Sequence, residues 1–221
     1  MVGLPPSSPL PPKRPQDVAA MPSTGTQTAS AVPLAPAPAP VQVAARTAPL
    51  PASPEAAIAR VNGFFNTIDL MTADFTQESA SGQRTEGSLY IKHPGQLRFA
   101  YSPPSTLEIV SDGRSVAIRD KKLGTNDVYS ANQTPLKFLL QERFDLARDT
   151  KVQDVQVRQD GTILVSFEDS ATIGGTSKVT LIFDSKANKL KQWVIIDPQG
   201  YKTTVALSNV DVTPKGNQAA Q

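Results

Sequence analysis

From Thr72 onward the chain is written in short runs whose every second residue is apolar, and this two-residue period constrains its fold more than any other feature. Leu89 and Ile91 are set against Lys92; Leu97, Phe99 and Tyr101 against Arg98; Ile163, Val165 and Phe167 against Ser166 and Glu168; Val179, Leu181 and Phe183 against Lys178 and Thr180. Successive side chains of a strand point to opposite faces, so each run predicts a strand with one apolar face. Ser81-Gly82, Pro94-Gly95, Asp112-Gly113, Asp160-Gly161 and Pro198-Gln199-Gly200 punctuate the runs with turn chemistry, at spacings that suit an antiparallel meander.

Helical patterning interrupts this twice. Ile58, Val61, Phe65 and Ile68 recur at helical spacing behind Ser53 as N-cap, Pro54 at the first position and Glu55 in the first turn, which predicts an opening amphipathic helix. Thr134 as N-cap and Pro135 at the next position announce a short helix through Glu142, and Phe144 to Arg148 suggests a further turn. Every one of these elements has an apolar face to hide. The expected fold is mainly β with a helical lid (α+β): an incomplete antiparallel β-barrel of about ten or eleven strands wrapped around two or three α-helices. A two-sheet sandwich is the competing arrangement.

The first quarter of the chain shows no such patterning. Of the 20 prolines, 14 fall between Pro5 and Pro54, among alanine, serine and threonine. Such a segment has too little apolar surface to build a core and reads as a disordered Pro/Ala-rich spacer, extended where Ala35 to Pro40 alternate. The expected division is a tail over 1–53, one domain over 54–213 and a flexible C-terminus over 214–221. The tail also holds the charge surplus: Lys13, Arg14 and Arg46 against Asp17, which taken from 22 basic and 20 acidic residues leaves 19 of each in the rest. A neutral domain is not expected to bind nucleic acid, which needs clustered basic excess.

Chemistry is hard to spell from these residues. The chain has no cysteine and one histidine, His93, so thiolate nucleophiles and sulfur-ligated metals are ruled out and no local triad or metal motif can be assembled. No phosphate-cradling or dinucleotide glycine motif occurs. Neither an enzyme nor a cofactor is expected. Without cysteine the chain is not itself expected to be a lipoprotein. Met1-Val-Gly-Leu-Pro-Pro does not read as a signal peptide, which leaves a leader further upstream and residence in the cytoplasm both open. The abundant apolar sheet surface is what a binding cavity would show, but composition and periodicity alone favour an ordinary core.

Five segments in order resemble the outer-membrane lipoprotein carrier family of Gram-negative bacteria: Met71 to Gln77; Glu86 to Phe99; Ile109 to Gly113; Thr134 to Leu140; and Asp197 to Gly200 continuing through Leu207-Ser208-Asn209. That resemblance implies a periplasmic lipoprotein chaperone, expected as a monomer, that shields acyl chains in a hydrophobic cavity. It would take acylated lipoproteins from an inner-membrane ABC-type exporter to an outer-membrane receptor lipoprotein where one is present, or serve both steps where none is. Exposing each acyl methylene to water costs about 0.8 kcal/mol, so an unaided crossing is negligible. The facing wall is expected at Leu89, Ile91, Leu97, Phe99, Ile109 and Trp193, and the lid at Val61, Phe65, Ile68, Phe138 and Leu139. Trp193, the single tryptophan, reads equally well as ordinary core. Many family members have arginine where His93 stands, attributed with holding the lid closed. Imidazole offers fewer donors and loses charge near neutral pH, so His93 is a candidate weak or pH-sensitive latch, with an exposed turn histidine as the alternative. A lipid-sensing regulatory or scaffold module of the same shape, and a carrier of another lipophile, are the competing functions.

Overall fold

The structure, a computed structural model, describes residues 49–216; the expectations of a spacer over 1–53 and a flexible end therefore fall largely outside the described residues. The opening helix, α1, spans Pro54–Thr67, and the Ser53 hydroxyl accepts from Ala56 N–H at 3.2 Å, capping it as the sequence predicts. Its buried stripe is Ala57, Val61, Phe64 and Phe65. Ile68 lies elsewhere than expected: its backbone is extended (φ −66°, ψ 128°), so it ends the helix and begins the first strand, although it is buried all the same.

Eleven strands follow: β1 (Ile68–Glu78), β2 (Arg84–Lys92), β3 (Gln96–Tyr101), β4 (Leu107–Asp112), β5 (Ser115–Asp120), β6 (Thr125–Ser130), β7 (Lys151–Val157), β8 (Thr162–Asp169), β9 (Ser177–Asp184), β10 (Lys189–Ile196) and β11 (Lys202–Pro214). They form one antiparallel sheet in the order β6-β5-β4-β3-β2-β1-β11-β10-β9-β8-β7. The arrangement is the single curved sheet rather than the sandwich, and it is open, since β6 and β7 remain its two edges. Its centre is the junction of the first and last strands, paired from Ile68↔Pro214 to Glu78↔Thr204. A bulge between Thr72 and Asp74 bends this junction; Asn209 meets it with φ +50° while its amide donates to Asp74 Oδ2 at 2.7 Å. Lys215 N–H donates to Thr67 O at 2.7 Å, so the ladder runs to the start of the segment expected to be flexible.

The chain passes from edge to edge through a strap at 131–149, made of a 3₁₀ turn (Ala131–Gln133), α2 (Lys137–Leu140) and α3 (Leu146–Asp149). The middle helix is shorter than its sequence predicts. Thr134 precedes a proline, which disfavours helical backbone, and is extended (φ −105°, ψ 148°); its hydroxyl donates to Ala131 O instead of capping α2. The helix starts only after Leu136 and stops where Gln141 turns extended. In α3, Asp145 Oδ1 accepts from Ala147 N–H at 3.0 Å and Arg148 N–H at 3.4 Å.

The turns after β2 and β4 are packed back to back. Gly95 (φ +76°) and Gly113 (φ +93°) both adopt left-handed backbone, and a Cβ on Gly95 would stand 2.4 Å from the Gly113 Cα. Backbone conformation and backbone contact both exclude a side chain there. Gly95→Val is expected to lower the unfolding free energy by about 2 kcal/mol or more, read as a shifted urea midpoint at unchanged slope.

Candidate functional site

Cross-strand register builds the candidate site. Phe99, Ile109 and Ile118 are successive partners across β3, β4 and β5, and Trp193 and Val205 are partners across β10 and β11. Phe99 and Trp193 belong to strands four places apart, which a flat sheet would separate by roughly 19 Å. Their rings instead meet edge-on with centroids 6.3 Å apart, so the curvature of the sheet brings its two halves face to face.

The strap fills most of the space so enclosed. Phe138 from α2 packs edge-on against Trp193 at 5.9 Å and Phe65 of α1 at 5.7 Å, and Phe65 reaches Phe144 at 6.0 Å. All eight phenylalanines of the chain are buried, and these contacts link helix, strap and sheet through aromatic edges. Two asparagines of α1 tie the strap by mimicking backbone pairing. The Asn66 amide accepts from Phe144 N–H at 2.8 Å and donates to Phe144 O at 3.0 Å; Asn62 accepts from Leu146 N–H at 3.1 Å and donates to Asp145 Oδ1 at 3.3 Å.

Beyond Phe138 the filling stops, and an open apolar pocket of about 440 Å³ remains. Phe99, Ile109 and Trp193 line it, as does the strap from Gln133 to Leu136 and the β8–β9 turn at Thr172 and Ile173. Three of the six expected wall residues therefore meet at the pocket. The other three, Leu89, Ile91 and Leu97, are fully buried in the core and are absent from its lining. Val61, Phe65, Phe138 and Leu139 are likewise buried core, as is Ile68 from its strand. Val116, Ile118, Tyr129, Ile195 and Val205 line the pocket without having been singled out; their alternation was visible, but which end of each strand the strap would leave uncovered was not.

Polar groups are few and placed at the pocket's margin. Tyr101 Oη donates to Gln77 Oε1 at 2.8 Å, and burial pushes the phenol pKa up to about 12, so it stays neutral. Asp197 Oδ1 accepts from the backbone of Gln199 and Tyr201 and shapes the β10–β11 turn. Among the described residues no group of three or more histidine, aspartate or glutamate side chains could hold a metal ion. No helix among them is long and apolar enough to cross a membrane.

His93 lies at another margin of the strap. It is 5% exposed, which excludes the exposed turn histidine. Its backbone N–H donates to Asp69 O at 2.8 Å, its ring lies beside the Gln141 backbone, and its Nδ1 has no hydrogen-bond partner. Burial holds its pKa below the ordinary imidazole value, with Lys215 reinforcing that direction while the Gln141 backbone, Asp69 and Glu142 oppose it.

A family model described as outer membrane lipoprotein carrier protein LolA matches residues 66–220. The outer-membrane lipoprotein carrier protein of Methylobacillus flagellatus is 28% identical over 162 residues, covering 70% of this chain and 78% of the relative. That of Pseudomonas aeruginosa is 25% identical over 168 residues, covering 72% and 79%. Among solved structures, a LolA superfamily protein from Nitrosomonas europaea aligns with a TM-score of 0.42 at 9% identity, covering 77% of this chain and 97% of that one.

The depressed pKa of His93 sets a pH dependence. Between its folded value and about 6.5, the unfolded chain binds the extra proton, so the stability contribution is complete above about pH 6.5 and is lost as pH falls through that window. No second histidine titrates there. Between about pH 7.5 and 5.5 the urea midpoint of the wild type is expected to fall further than that of His93→Gln; parallel curves would contradict the assignment.

Proposed function

The chain belongs to the outer membrane lipoprotein carrier family, and from that footing we propose that it carries acylated lipoproteins across the periplasm without acting as an enzyme. The observation that carries this reading is the open apolar pocket of about 440 Å³, enclosed by Phe99, Ile109 and Trp193 on the sheet and by the strap opposite. Its size is in the range of small-molecule sites, and its mainly apolar walls offer an acyl chain contact and exclusion of water. At about 0.8 kcal/mol per buried methylene, even part of a chain gains several kcal/mol by entering.

Release must also be possible, and the strap provides for it. Phe138 and Leu139 occupy the middle of the concave face, where more of the cargo would otherwise lie. Displacing them as cargo enters would spend part of the binding energy on moving the strap, which keeps affinity moderate. In this reading Leu89, Ile91 and Leu97 become wall once Phe138 and Leu139 withdraw. Val61, Phe65 and Ile68 form the bed against which the strap rests. His93, whose ring lies beside Gln141, is a weaker latch than an arginine would be, having one ring donor when neutral. The partners are an inner-membrane ABC-type exporter as donor and an outer-membrane receptor lipoprotein as acceptor.

The direct test adds the purified full chain to spheroplasts with ATP and looks for acylated lipoproteins in the soluble fraction, bound to it. Release is expected. Ile118→Asp, which places a carboxylate at a half-buried position of the pocket wall, is expected to cut release by about tenfold or more while lowering stability by less than about 2 kcal/mol. Absence of release by folded wild type, beside a working carrier, would defeat the proposal; stable capture of one signalling protein instead would point to a scaffold.

A further inference from the structure

The wall of the pocket opposite the sheet consists of two separate pieces of chain, the strap at Gln133–Leu136 and the β8–β9 turn at Thr172–Ile173. Immediately behind them lies a buried ion pair. Lys137 Nζ stands 2.7 Å from Asp169 Oδ1, with side chains 10% and 3% exposed. In each of the other ion pairs among the described residues, one member is at least 56% exposed. Lys137 directly follows the strap's lining residues, and Asp169 directly precedes the turn. The same Asp169 oxygen accepts from Ala171 N–H at 3.0 Å, and Ile173 N–H donates to Gln133 O at 2.9 Å, so charge and backbone bonds join the two pieces at two points.

A buried ion pair adds little stability over a well-packed apolar pair, because desolvation offsets the attraction; what it does supply is a defined position, since moving either charge leaves the other buried and unpaired. We propose that Lys137 and Asp169 are positioning residues that clasp the strap to the β8–β9 turn and thereby set how wide the pocket mouth opens. The role at the mouth rests on the carrier reading above. The clasp itself does not, which allows the two to fail separately.

Two readouts on the full-length protein test this. Hydrogen exchange at the Ile173 amide reports the clasp without any ligand. Energy transfer from Trp193, the single tryptophan, to 11-(dansylamino)undecanoic acid reports entry of an acyl chain into the pocket. In Lys137→Met and Asp169→Asn, Ile173 exchange and dansyl uptake are both expected to quicken by about tenfold or more. Lys137→Arg is expected to restore both toward wild type. Lys137→Met with Asp169→Leu keeps the fold by replacing the pair with apolar contact, and is expected to remain as fast as the single variants. Leu190→Ala, in the core near the opposite end of β10, serves as a destabilised control.

Ile173 exchange no faster in Lys137→Met than in Leu190→Ala would overturn the clasp. Faster exchange with unchanged uptake, in protein that binds the probe, would overturn its role at the mouth. Absence of energy transfer in every variant, wild type included, would defeat the carrier reading and leave the clasp to be decided by Ile173 alone.

Discussion

One sheet with a single apolar face has to be covered by its own chain, and that requirement governs the rest of this structure. In β2, β3, β8 and β9 buried residues alternate with more exposed ones, and the inner surface they build is mostly Val, Ile, Leu and Phe. Among the described residues no second sheet packs against it. Coverage comes from α1, entering ahead of β1, and from the strap that must in any case cross from β6 to β7 because those strands are the two edges. The topology therefore supplies the lid: a chain that ends one half of the sheet at one edge and resumes at the other has to pass over the concave side or around it. Apolar residues at Phe138, Leu139, Leu140, Phe144 and Leu146 favour the concave passage.

Aromatic edges suit such a cover. Phe65, Phe138, Phe144, Trp193 and Phe99 meet in edge-on or tilted pairs between 5.7 and 6.4 Å, without interdigitating along a long helix. The strap's two α-helices are four residues each, too short to be stable alone, so their geometry depends on what they touch. They are fixed by a small number of discrete polar attachments: the paired asparagines of α1, the Lys137–Asp169 ion pair and the Ile173–Gln133 bond. A cover built this way can be rigid when all attachments are made and still be released by breaking few of them, which suits the carrier function proposed above.

The pocket lies where this cover runs out. Thr134 to Leu136 lies outside the helices of the strap, Thr134 being held extended by the proline that follows it, so over that end of the sheet the strap offers mainly backbone and the small apolar surface of Pro135 and Leu136. The inner residues of β4, β5 and β6 are consequently less covered than those of β8, β9 and β10: Ile109 and Ile118 are half-buried and Tyr129 is exposed, whereas Val165, Leu181 and Leu190 are sealed. Leu89, Ile91 and Leu97, on β2 and β3, are sealed in the same way and belong to the core.

By itself the sequence determined several of the strands with their apolar faces, five of the turns and the capped opening helix, because these depend on period, turn chemistry and neighbouring residues alone. It also determined that Phe99, Ile109 and Trp193 face inward, since parity along a strand is local. It could not assign Ile68 to a strand: a helical spacing is kept even where the backbone has already turned extended, and only the pairing of Ile68 with Pro214 settles the matter. Tertiary structure alone decided which inward residues are core and which are pocket, because that depends on where the strap, distant from them in sequence, comes to rest. It also decided that Lys137 and Asp169, 32 positions apart, form a buried pair, and that a turn histidine is enclosed beside Gln141. Local period cannot encode either, since burial of a charge is set by what the rest of the chain packs around it.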